Sequence, residues 1–83
     1  MPVAQIVKKL YLTLGKELLR EPVICDMYDH TRVRFNLRQA SISDEVGIVS
    51  IELCGDEAKV QEALDYLRSR GVRVEPIELN VIE

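Results

Sequence analysis

The chain has 83 residues, 47% of them hydrophobic and 30% charged, with a net charge of −3. This length sets a single domain over residues 1–83, with a core expected over residues 7–80, and the composition excludes a disordered chain. The acidic balance argues against nucleic-acid partners and anionic membrane surfaces, and no apolar run approaches the roughly 20 residues that cross a bilayer.

The opening Met-Pro-Val-Ala-Gln-Ile-Val-Lys-Lys has no charged segment followed by an apolar one, so no secretion signal is expected. A cytoplasmic chain follows as the expectation, with Cys25 and Cys54 reduced. From Val7 to Leu14, Leu10, Leu12 and Leu14 alternate with Lys9, Tyr11 and Thr13, which predicts a half-buried strand. Gly15 ends it, and Lys16 to Glu21 is expected to be a polar loop anchored by Leu18 and Leu19. Pro22 suits the first turn of a helix over Pro22–Thr31, with Val23, Ile24 and Met27 as its buried stripe.

Val33, Phe35 and Leu37 then alternate with Arg34, Asn36 and Arg38 as a second strand. After a turn at Ser41 to Glu45, Val49, Ile51 and Leu53 face inward from a third strand, and Ile48, Ser50, Glu52 and Cys54 face outward. Asp56 is a suitable N-cap for a second helix whose apolar stripe is Ala58, Val60, Ala63, Leu64 and Leu67. Arg68 and Arg70 place positive charge at the negative end of that helix, and Gly71 suits the position just past its end. Val72 and Val74 open a fourth strand, and the tail keeps alternating through Ile77, Leu79 and Val81.

The order is βαββαβ. Right-handed crossovers interleave its halves into a four-stranded antiparallel sheet of order 4-1-3-2 with both helices on one face, an α+β, ferredoxin-like fold. The other face stays open and carries Tyr11, Thr13, Arg34, Asn36, Arg38, Ser50, Glu52, Arg73 and Glu75. A solvated surface is one reading of it. The other is a ligand or partner surface, because Arg38 offers a cation, Glu52 an acceptor and Asn36 both hydrogen-bonding roles for a small amino acid. RNA binding through this face is disfavoured, since Tyr11 is its one aromatic residue and the net charge is negative.

Cys25, Asp26, Asp29 and His30 resemble a metal cluster in composition. On a helix, however, Asp26 and His30 share one face and Cys25 and Asp29 another, so four ligands do not converge and no metal is expected. The single histidine has no serine beside it in a recognisable motif, and no phosphate-cradling glycine run is present, so no enzyme and no cofactor are expected. The apolar tail residues Ile77, Leu79 and Val81 have two readings. They extend the fourth strand over its own core, or they pair across two chains in a symmetric dimer.

The stretches Lys9 to Leu14, Arg20-Glu21-Pro22-Val23-Ile24, Phe35-Asn36-Leu37 and Gly47 to Glu78 together resemble the NIL domain family, from about residue 7 onward. The family's Asn-Ile-Leu signature falls on Asn36-Leu37-Arg38, where the asparagine is kept. The resemblance implies a ferredoxin-like fold. One branch of the family lies at the end of methionine ABC-transporter ATPases, where it dimerises and binds the amino acid. Another precedes an iron–sulfur ferredoxin in proteins of sulfur assimilation and homocysteine formation, and Gly71 to Glu78 looks more like that branch. The implied role is a free-standing regulatory module, a homodimer or higher homo-oligomer that binds a methionine-like amino acid or a partner protein. The alternative is an adaptor that docks onto a sulfur-metabolism enzyme or a separate ferredoxin.

Overall fold

The computed structural model of this protein describes residues 5–77. The chain runs β1 (Gln5–Gly15), a short 3-10 helix (Lys16–Arg20), α1 (Val23–Thr31), β2 (Arg34–Ile42), β3 (Val46–Asp56), α2 (Glu57–Ser69) and β4 (Arg73–Pro76). The strands form one antiparallel sheet of order β2-β3-β1-β4, the expected 4-1-3-2 read from the other edge. Both helices pack on one face.

Alternation in β1 and β3 produces that face. Leu10, Leu12 and Leu14 are buried from β1, and Val49, Ile51 and Leu53 from β3. Val23 and Met27 of α1 and Val60, Ala63, Leu64 and Leu67 of α2 close over them as one continuous core. Each fully buried side chain of this size contributes about 1.5–3 kcal/mol relative to exposure. Ala58, expected in the α2 stripe, is exposed, because it lies two residues before Val60 and so on the opposite side of α2 from the buried arc.

The segment expected as a loop at Lys16–Glu21 is a turn of 3-10 helix instead. Leu18 and Leu19 do anchor it, both half-buried against the core, and their contacts favour a wound segment over an extended one. Helix α1 starts one residue after Pro22, which lacks an N–H and so removes one orphan donor. Its end is built by Thr31, whose buried hydroxyl donates to Met27 O at 2.8 Å and accepts from Val33 N at 3.2 Å. Arg32 then takes a left-handed conformation, φ 61, that turns the chain into β2.

Helix α2 has both of its expected stops. The Asp56 carboxylate accepts from Lys59 N at 2.9 Å. At the other end Gly71, φ +93, donates to Arg68 O at 3.0 Å while Val72 N donates to Leu67 O at 3.1 Å, the paired bonds of a Schellman ending.

Strand β2 departs from strict alternation. Leu37 pairs with Ile51 and Gln39 with Ser50, so Arg38 is the extra residue of a β-bulge. Beyond the bulge Gln39 turns to the open face with Ser50, and Ala40 to the helix side with Val49. Leu37 and Ile42 lie on the helix side of this edge strand, yet they remain 55% and 66% exposed because neither helix reaches over them.

Candidate functional site

The register fixes which side chains meet on the open face. Glu52, near the middle of β3, stands opposite Asn36 of β2 on one side and opposite Lys9 of β1 on the other. The bulge swings Arg38 across β3, where its Nη1 donates to Glu52 Oε2 at 3.3 Å. Ser50 pairs with Gln39 and Tyr11, and Tyr11 in turn with Glu75. Between them lies a depression of about 280 Å3 lined by Lys9, Arg38, Gln39, Ser50, Glu52 and Ile77.

The three residues expected to hold a ligand are therefore neighbours. Arg38 is bonded to Glu52, and Asn36 is its exposed cross-strand partner. Arg34, the other arginine that β2 carries on the open face, pairs with Cys54, one step further along the sheet. Lys9, an outward residue of the first strand, also belongs to the site. The antiparallel β1–β3 register brings it to Glu52, and pairing the two leucine- and isoleucine-centred strands would have revealed it. Chemically, the depression offers two cations, one carboxylate and neutral donors and acceptors, which suits a small zwitterion.

Of the three residues expected at an interface, Ile77 is half-buried, donates its N–H to Lys9 O at 2.9 Å, and borders the same depression. Leu79 and Val81 lie outside the described residues.

The residues of the metal-like sequence cluster have other partners. Asp26 accepts from Arg70 Nη1 at 3.0 Å, Asp29 pairs with Arg32 at 3.8 Å, and His30 stacks on Tyr66 with ring centroids 4.7 Å apart. Cys25 is an exposed free thiol and Cys54 a partly covered one. Among the described residues no helix is long and apolar enough to cross a membrane.

Arg70 forms a cluster that sequence reasoning missed. Its guanidinium donates to Asp26, to the Tyr66 hydroxyl and, at 2.7 Å, to Glu21 Oε1. These bonds hold its pKa above the ordinary guanidinium value, chiefly through Glu21 and Asp26. The cluster ties the end of α2 to the start of α1 and leaves the open face free.

A second feature is apolar. A groove of about 210 Å3 runs between the 3-10 segment, the start of α1 and the β2–β3 edge, with Leu14, Leu18, Leu19, Val23, Ile24 and Ile42 among its walls.

The family profile described as NIL domain matches residues 8–76. The chain is 30% identical over 64 residues to the L-aspartate semialdehyde sulfurtransferase iron-sulfur subunit of Methanocaldococcus jannaschii, covering 77% of this chain and 49% of that protein. It thus spans about half the length of that relative. Among solved structures, the C-terminal domain of an ABC transporter ATP-binding protein from Enterococcus faecalis superposes with a TM-score of 0.76. That neighbour is 27% identical, with 84% of this chain and 82% of that one covered. A de novo designed protein, Foldit4, shares the fold alone, with a TM-score of 0.59 at 11% identity over 93% of this chain and 100% of its own.

Proposed function

The chain belongs to the NIL domain family, and on that premise we propose that it is a non-enzymatic regulatory module that binds a small, methionine-like amino acid on its open sheet face. The observation that carries this reading is the depression around Glu52, where a carboxylate, Arg38 and Lys9 converge beside the apolar Ile77. An α-amino acid carries the complementary pair of charges on adjacent atoms, and its side chain can lie against Ile77. The Enterococcus faecalis neighbour, itself the C-terminal domain of an ABC transporter ATP-binding protein, supports an accessory role. The module works in the cytoplasm, where Cys25 and Cys54 stay reduced. It self-associates as a homodimer or higher homo-oligomer, with Ile77 near the interface.

A thermal-shift series with methionine and other amino acids at millimolar concentration tests the binding. The expected result is a raised melting temperature for methionine-like ligands, and a flat response to every amino acid would refute it. Sedimentation at micromolar concentration reads the self-association, and a monomer at all concentrations would remove that part.

A second reading rests on a different observation. The β2 edge carries exposed Leu37 and Ile42 beside the apolar groove, and such a surface suits docking onto another protein. Since the Methanocaldococcus jannaschii relative is an iron-sulfur subunit of a sulfurtransferase, the partner would be a sulfur-metabolism enzyme or a separate ferredoxin. Affinity purification from the native cell should then return that partner, and repeated recovery of the bait alone would count against it.

A further inference from the structure

A carboxylate on the uncovered face of a sheet is ordinarily well hydrated, yet the Glu52 side chain is 13% exposed. An ionised carboxylate has about four lone-pair sites. Among the described residues one side-chain donor, Arg38 Nη1, uses one of them, and at 3.3 Å it does so loosely, since a well-seated charge-assisted bond settles at about 2.7–2.9 Å. Glu52 therefore keeps unfilled acceptor capacity inside the depression. Arg38 is poorly held from its own side, being 64% exposed and mounted on a bulge. Such a pair is easily exchanged. Lys9 faces the same carboxylate, so the three ionised groups sum to one excess positive charge.

Resting on the amino-acid reading above, we propose that Arg38 is a built-in competitor for the ligand. Its guanidinium occupies Glu52 at the place where the ligand's ammonium goes. When the ammonium displaces it, Arg38 joins Lys9 in holding the ligand's carboxylate. The exchange keeps every charge paired only for a molecule that carries both groups. A ligand with an ammonium alone leaves Arg38 without a partner. A ligand with a carboxylate alone sets a second anion beside Glu52 while the Arg38 bond stays in place. The depression thus selects zwitterions over amines and over acids, through a residue that is competitor before binding and ligand-holder after it.

Calorimetric or NMR titration with methionine, N-acetylmethionine and 3-(methylthio)propylamine, on wild type, Arg38→Gln and Glu52→Gln, tests the exchange. Wild type should bind methionine about tenfold or more tighter than either analogue, the loss expected for one charged hydrogen bond. Arg38→Gln should bind methionine more weakly but the amine about two- to fivefold more tightly, since its competitor is gone. Glu52→Gln should lose the amine altogether.

If Arg38→Gln binds the amine no better than wild type does, the competitor role is overturned, even where methionine binding stands. If removing Arg38 tightens the amine but methionine binds neither protein, the exchange at Glu52 stands and the amino-acid reading falls.

Discussion

Arg70, the residue just past α2, donates to the Asp26 carboxylate of α1 at 3.0 Å and to Glu21 at 2.7 Å, so one guanidinium joins the end of α2 to the start of α1. Arg70→Ala should lower the melting temperature by several degrees. Arg73→Ala, whose pair with Glu75 is largely exposed, should change it little. Equal melting temperatures for the two variants would show that the cluster does not hold the helices.

The same cluster sets a pH expectation. Its bonds raise the Arg70 pKa, so its contribution is fully present below the ordinary guanidinium value and is lost only as pH rises past that value. The difference in melting temperature between wild type and Arg70→Ala should therefore stay constant between about pH 6 and pH 9. A difference that shrinks as pH rises within that window would contradict a cation held this way.

The two helix endings make opposite predictions. Gly71 has φ +93, a conformation that a Cβ disfavours, so Gly71→Ala should cost about 1 kcal/mol. Arg32 occupies the left-handed region at φ 61 without being glycine, so Arg32→Gly should stabilise by about 0.5–1 kcal/mol. The gain is trimmed by losing the exposed contacts of Arg32 with Asp29 and the Tyr28 ring. Urea midpoints read both, and a lower midpoint for Arg32→Gly would mean that those contacts outweigh the backbone term.

Asp56 caps α2 through its bond to Lys59 N. Asp56→Ala should cost about 1 kcal/mol, and Asp56→Ser should recover most of it. If both variants unfold at the same urea concentration, the side-chain oxygen is not what starts the helix.

Leu67 is fully buried where α2 meets the sheet, and it also supplies the carbonyl that closes the helix ending. Leu67→Ala should cost about 3 kcal/mol through lost burial and the residual cavity. Chemical denaturation of the variant measures it, and a loss below about 1 kcal/mol would imply that the two layers close over the gap.

Local signals along the chain lay out the two layers. The alternation Leu10, Leu12, Leu14 and Val49, Ile51, Leu53, the stripe Val60, Ala63, Leu64, Leu67, and the stops at Asp56 and Gly71 are local signals. A strand repeats every two residues and a helix every 3.6, and each pattern is complete within one element. What meets on the open face and between the helices is set by long-range assembly. A strand register sets Lys9 opposite Glu52, Arg38 reaches that carboxylate through a bulge 14 residues away, and Arg70 bonds partners 44 and 49 residues away. Such contacts leave no periodic trace, because they depend on how finished elements align across the sheet and not on the propensities that form each one.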